Sequence, residues 1–440
     1  MNQVGDELVA FLYADAAGLS RGRAVPLRDL EQRLVTGVGW VPADQAITPL
    51  GPLGEPNPWS SLGDLRLVPD VATATRVDLW PGVPALHFYL CDAVTLGGEP
   101  WEACPRALLK HALERLASET GLTLVAAFEH EFMLQGHVDR PAPPFSMEAL
   151  RTAAPLGEQL AAALRHSGHN LETFLPEYGA NQFEVTCTPR EGLAAADEAS
   201  IVRELVREVA RRLGWRATFV PMIDPDGSGN GLHIHISFQD GSGSAATYDA
   251  DRPGRLGLVA GRFAAGVLRH LEAICAVAAP TTISYSRLVP HRWSAGWACV
   301  GDRNRETVWR IPEPIDFGGT DPATQVHLEF RAADGACSPH FTLALVVLAG
   351  LRGIQEQLDP PPVIVDNPES LSPSERETLG VRSLPNSLGE ALGAFQDDRL
   401  VAAQVPSELR NGYLAMKRTE IDLLDGVPTE EMCAKYTAVY

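Results

Sequence analysis

Two short stretches of this chain place acids or imidazoles at alternate positions of otherwise apolar runs. That pattern constrains what it can fold into more than any other feature. In Leu124-Val125-Ala126-Ala127-Phe128-Glu129-His130-Glu131-Phe132-Met133-Leu134 the apolar and aromatic content predicts a strand. Side chains alternate across a strand, so Glu129 and Glu131 share one face about 7 Å apart. Two carboxylates so placed repel each other and call for a counter-charge. In His233-Ile234-His235-Ile236-Ser237 the imidazoles and the serine share one face and the isoleucines the other. The loop before it, Asp226-Gly227-Ser228-Gly229-Asn230-Gly231, has glycines that allow backbone to approach a ligand closely.

Two further segments extend the set. Gln182 and Glu184 share a strand face, with Glu177 arriving across the turn at Gly179. Glu329 is framed by Leu328 and Phe330, with Arg331 two residues on. Taken singly, each of these is equally a solvated surface strand, and an isolated H-x-H is a weak metal signal. Taken together they supply five glutamates and two histidines on or beside strands. Oxygen-rich sites suit Mg²⁺ or Mn²⁺, and Mn²⁺ accepts an imidazole more readily. Arg287, Arg305, Arg310 and Arg331 fall beside or between these segments. Guanidinium forks match carboxylates and phosphates, and divalent ions beside arginines are the usual equipment of phosphoryl transfer. No G-x-x-x-x-G-K-[ST] loop, dinucleotide fingerprint or G-x-S-x-G elbow offers a competing chemistry.

The chain has 440 residues and a formal net charge of −20. Such acidity disfavours nucleic acid and anionic membrane as partners. The apolar run Phe341 to Leu351 is too short to span a bilayer, and Met1 to Ala10 lacks a secretory pattern. A cytoplasmic location is the expectation. The seven cysteines lie far apart with no C-x-x-C pair, which supports neither a disulfide framework nor a zinc knuckle.

The first hundred residues are turn-rich with short extended runs, Glu7 to Tyr13 and Leu65 to Pro69 among them, as in a small β-rich domain. From Pro105 the texture changes. Helical spacing runs from Pro105 to Gly121, Glu191 to Leu213, Leu256 to Ala278, Phe341 to Leu358 and Leu388 to Phe395. Strand-like pieces lie between them at residues 124–134, 182–186, 217–220, 232–238 and 326–331. The Pro-rich stretch Asp359 to Pro373 reads as a surface loop. Strands separated by unequal helices favour an α+β fold over a doubly wound one.

In their order these motifs resemble the glutamine synthetase family over nearly the whole chain. The resemblance rests on Asp15-Ala16-Ala17-Gly18, the segment Asp64 to Asp70, and E-x-E-F at Glu129. It continues with E-Y-x-x-x-Q-x-E at Glu177, A-T-F at Ala217 and G-x-G-x-H-x-H-x-S at Gly229. Ser284-Tyr285-Ser286-Arg287-Leu288, then N-R-x-x-x-x-R-I-P at Asn304 and E-x-R at Glu329, follow in the family's order. The resemblance implies an N-terminal β-grasp domain (residues 1–100) and a larger catalytic α+β domain (residues 101–440). It implies ATP as substrate and two or three Mg²⁺ or Mn²⁺ ions per site. Glu131, Glu177 and Glu184 would hold one ion, and Glu129, His233 and Glu329 a second. His235, Ser237, Arg305 and Arg310 match nucleotide positions. Gly229 and Arg287 match contacts to glutamate, and Arg331 the γ-carboxylate and transferred phosphoryl group, with Arg305 and Arg331 as the catalytic pair. The implied reaction joins the γ-carboxylate of glutamate to an amine through γ-glutamyl phosphate, in a homo-oligomeric ring, a hexamer or dodecamer.

The departures cluster on the nitrogen side. Ammonia-using members usually carry a glutamate shortly after R-L-V-P; here the run is His291-Arg292-Trp293, with Trp293 at that position. The N-terminal loop Gly39-Trp40-Val41-Pro42-Ala43 lacks the family's aspartate in register, although Asp44 is close. Ser228, Asn181 and His327 stand where asparagine, glycine and arginine are usual, and Ser338-Pro339-His340 replaces N-P-Y. An indole offers an apolar wall and a cation–π face worth about 0.5–2 kcal/mol. The expectation is a larger amine substrate, with Trp293 in the amine pocket. An ordinary ammonia-using synthetase and a non-catalytic family member remain the alternatives.

Overall fold

The computed structural model describes residues 6–137 and 142–440. Its N-terminal part is a six-stranded sheet built from β1 (Leu8–Ala14), β2 (Ser20–Pro26), β3 (Val38–Trp40), β4 (Leu65–Pro69), β5 (Thr75–Val77) and β6 (Leu86–Val94). The order is β2-β1-β6-β4-β3, with β5 on β6. β1 and β2 form an antiparallel hairpin, whereas β1 and β6 run parallel. Alternation explains the burial: Val9, Phe11 and Tyr13 of β1 face the core.

The second sheet has eleven strands. They are β7 (Thr123–Gln135), β8 (Leu171–Pro176), β9 (Gln182–Cys187), β10 (Arg190–Glu191), β11 (Arg216–Thr218), β12 (Leu232–Gln239), β13 (Trp297–Asp302), β14 (Thr307–Ile311), β15 (Leu328–Phe330), β16 (Val363–Ile364) and β17 (Arg382–Ser383). The main path is β16-β13-β14-β15-β12-β7-β9-β8. The fold is α+β as the sequence predicts, with helices packed on these sheets. Helix Pro105–Thr120 starts with proline at its first turn and ends at Gly121 in the left-handed region (φ 71°). It packs on helix Pro339–Gln355, most of which is buried.

Arg106, in the first turn of helix Pro105–Thr120, joins the two sheets' surroundings. Its guanidinium reaches Asp70 after β4 (2.7 Å), Asp92 on β6 (2.7 Å) and Asp197 on helix Gly192–Arg212 (2.8 Å). Asp197 also meets His340 Nε2 at 2.8 Å. Burial pushes the Asp197 carboxyl up, and hydrogen bonds from Arg106 and His340 outweigh this, holding it well below the usual range.

Some expected elements differ. The helical period from Leu256 to Ala278 is two helices, Leu258–Arg269 and Leu271–Ala278. His270 breaks it by leaving helical geometry, and its Nδ1 is 2.8 Å from Asp398. The Pro-rich loop contains β16, paired parallel to β13, because Val363 and Ile364 are two apolar residues clear of the prolines. Helices Ser407–Leu423 and Thr429–Thr437 close the C-terminal region, beyond the last helical period that the sequence predicts. Among the described residues no helix is long and apolar enough to cross a membrane.

Candidate active site

Sheet register assembles the site. β7 lies between β12 and β9, antiparallel to both. Its Glu129 is directly opposite His233, and its Glu131 directly opposite Glu184. Glu329 of β15 is opposite His235 on one side and Arg310 of β14 on the other. Five neighbouring strands therefore bring one polar face together, while Phe128, Phe132, Ile234 and Ile236 bury the other.

Two groups of ligand atoms result. The atoms of Glu129, His233 and Glu329 lie within 4.8 Å of one another, as do those of Glu129, Glu131 and Glu184. His233 Nδ1 is 2.5 Å from Glu129 Oε1 and 3.7 Å from Glu329 Oε1, and its Nε2 is 3.8 Å from Glu131 Oε1. Glu129 thus belongs to both groups. Glu177 stands outside these trios, with its own Oε2 accepting the Tyr178 amide at 3.0 Å. It is close enough to the cluster to feel it. Burial and the Glu131 charge push its carboxyl up to about 7.

The electrostatics divide the site. On the β9 side, burial and the charges of Glu129 and Glu131 push Glu184 up to about 10. On the β15 side, burial pushes Glu329 up, but Arg331, His233, His235 and Arg310 outweigh it and hold the carboxyl down at about 2. Arg310 Nη1 is 2.6 Å from Glu329 Oε2, and Arg331 pairs with Oε1. Among the described residues no lysine or arginine pairs with the carboxylates on the β9 side, so protons or a divalent ion are needed to offset their mutual repulsion. An oxygen-rich set with one imidazole fits Mg²⁺ or Mn²⁺.

The remaining candidates line the same region. His235 Nε2 is 3.4 Å from Glu129 Oε2, and its Nδ1 is 2.9 Å from His327 Nε2. Ser237 follows on the same face, half-buried. Arg305 is exposed and has no acidic partner among the described residues; its carbonyl accepts Arg331 Nε at 3.2 Å. Arg287, on the short helix Ser284–Arg287, is buried and donates to the carbonyls of Ala332 (3.2 Å) and Ala333 (2.8 Å). Gly229 packs against it. A Cβ there would fall 2.7 Å from Arg287 Cγ and 3.0 Å from Met222 Sδ, so only glycine fits without displacement. Trp293 is 70% exposed, and its carbonyl accepts Arg331 Nη2 at 2.8 Å.

Two residues outside the expected set hold this arrangement. Gln182 Nε2 donates to Gly229 O (2.9 Å) and to Asn230 Oδ1 (2.9 Å), and Asn230 Nδ2 donates to Val220 O (2.8 Å). Gln182's place on the Glu184 face was legible, but its partner across the sheet was not.

The fold and this face together define an α+β enzyme with an acid–imidazole cluster beside converging arginines. Residues 102–436 match the glutamine synthetase catalytic domain, and residues 2–101 the glutamine synthetase N-terminal domain. The chain belongs to the glutamine synthetase family of ligases. It is 33% identical to gamma-glutamylpolyamine synthetase GlnA3 of Streptomyces coelicolor, over 98% of this chain and 93% of that one. It is 29% identical to glutamate–isopropylamine ligase of a Pseudomonas species, over 87% and 83%. A solved glutamine synthase homologue is 43% identical, with a TM-score of 0.92 over the whole of both chains.

Proposed function

We propose that this protein joins the γ-carboxylate of glutamate to an amine larger than ammonia, consuming ATP. One observation carries the amine part. Arg331 binds both Glu329 of the cluster and the Trp293 carbonyl, so the residue this loop holds beside the cluster is a tryptophan rather than an acid. Ammonium is small and strongly hydrated, and a site without that acid captures it poorly. An organic amine gains from contact with the ring. The relatives named for polyamine and isopropylamine substrates support the same reading.

In this reading Glu131, Glu177 and Glu184, and Glu129, His233 and Glu329, would hold Mg²⁺ or Mn²⁺. Bound ions supply positive charge beside the transferred phosphoryl group. Arg305 and Arg310, with His235 and Ser237, hold the nucleotide. Arg287 takes the α-carboxylate of glutamate, and the Gly229 carbonyl its amino group. A γ-carboxylate oxygen attacks the γ-phosphorus of ATP, and ADP leaves. Arg331 and Arg305 offset the charge that develops. The amine nitrogen then attacks the γ-carbonyl, the bond to phosphate breaks, and the amine loses a proton. We place the reaction in the cytoplasm, in a ring-shaped homo-oligomer.

The test is phosphate release with ATP, Mg²⁺ or Mn²⁺ and glutamate, scanning ammonium and a panel of primary amines, with mass detection of the product. A γ-glutamyl amide from an organic amine, with little from ammonium, is expected. Ammonium as the best nucleophile would establish an ordinary synthetase instead.

A further inference from the structure

The segment Pro290 to Gly296 is pinned to the site from several sides. His291 (φ 68°) and Trp293 (φ 51°) both adopt left-handed backbone, which bulky residues rarely do. Their side chains pack little against the rest of the chain, each being 70% exposed. Arg292, between them, turns inward. Its Nη1 donates to Gly227 O at 2.7 Å and its Nη2 to Pro225 O at 3.0 Å. Ser294 Oγ donates to Arg287 O at 2.5 Å, and Arg331 reaches the Trp293 carbonyl.

The choice of acceptors is informative. Both partners of Arg292 are main-chain carbonyls, two residues apart, on the segment that leads to Gly229. A planar fork fixes the spacing of two acceptors in a way a point charge does not. The segment it grips carries Gly227, Gly229 and Gly231, and so has little stiffness of its own. One side chain therefore couples the glutamate side of the site to the loop bearing the indole.

We propose that Arg292 is a positioning residue for amide formation: by bracing Pro225 and Gly227 it holds Trp293 as a preset wall on the acceptor side. This rests on the reading that Trp293 faces the amine. Loss of the brace admits water to γ-glutamyl phosphate. Water oxygen then bonds to the γ-carbon, the carbon–oxygen bond to phosphate breaks, and glutamate and phosphate result with release of a proton. ATP is spent without amide.

The experiment measures amide formed per phosphate released, with KM for amine and for ATP, in wild type, Arg292→Ala, Arg292→Lys, Trp293→Ala and the double variant. Arg292→Ala should lower amide per phosphate by about five-fold and raise the amine KM by about ten-fold, leaving the ATP KM within about two-fold. Arg292→Lys, a single-point donor, should recover part of the loss. In the Trp293→Ala background the Arg292 change should add little, because both act on one wall. A wild-type amide-to-phosphate ratio in Arg292→Ala, or independent effects in the double variant, would overturn the proposal. If Arg292→Ala does not fold, Arg292→Lys and Arg292→Gln carry the same readout. Wild-type amide from ammonium alone would sink the larger-amine reading, yet Arg292 is still judged by amide per phosphate with ammonium. No amide from any nucleophile overturns both.

Discussion

Glu129 and His233 face each other across the β7–β12 pair, Oε1 to Nδ1 at 2.5 Å, and Glu129 also belongs to the trio with Glu131 and Glu184. One carboxylate is thus common to both groups of ligand atoms that the sheet brings together. Glu129→Gln should lower turnover by at least about 100-fold, the scale on which disturbing metal coordination acts. Mn²⁺ titration followed by electron paramagnetic resonance should show both binding steps weakened. A variant that loses only one step would separate the two trios.

Glu184 gives a prediction of opposite sign for stability and activity. Its folded pKa of about 10 lies above the ordinary 4.5, so the metal-free protein loses stability as pH rises between those values. At pH 8, Glu184→Gln should stabilise the metal-free protein by about 1 kcal/mol in urea unfolding, and at the same time remove activity. Saturating Mg²⁺ or Mn²⁺ should stabilise wild type more than the variant, since ligand binding to the folded state adds to its stability.

Trp293→Glu would return an acid to the loop that Arg331 holds by its carbonyl. The kcat/KM for ammonium should rise by about ten-fold, and that for the preferred amine should fall. The ratio of the two is the quantity to measure. An unchanged ratio in a folded variant would remove the indole from the specificity argument.

Arg106 predicts a pH dependence outside the acid–imidazole cluster. Asp197 has its pKa depressed when folded, so its contribution is present above the unfolded value of about 3.9 and is lost as pH falls through the lower folded value. Arg106→Leu leaves Asp70, Asp92 and Asp197 facing an apolar side chain, and should cost about 3–5 kcal/mol at pH 7. The gap between wild type and variant should narrow below about pH 4, as Asp70 and Asp197 take up protons. Urea midpoints from pH 7 to pH 3 test this.

The parts of the site that lay within one strand were legible in the chain. Glu129 with Glu131, and His233 with His235, declare a shared face by alternation alone. Register between strands is not written locally. Nothing in the text around Arg310 says that it will sit opposite Glu329, and β14 itself was not anticipated. The same holds for Arg292, whose acceptors are carbonyls and therefore carry no residue signature. The helix break at His270 leaves no mark in the chain because the apolar period continues across it. Helices Ser407–Leu423 and Thr429–Thr437 mix buried and charged positions with no capping side chain at either N-terminus, so the usual start signal is missing.

No single element owns the cation cluster; β9, β7, β12, β15 and β14 each lend it one or two side chains. A slip of one residue in any of those pairings turns that strand's contribution to the opposite side of the sheet. In the proposed reading, manganese bound per chain would therefore count correctly paired molecules. In a purified sample that count, rather than protein mass, is the proper denominator for a specific activity.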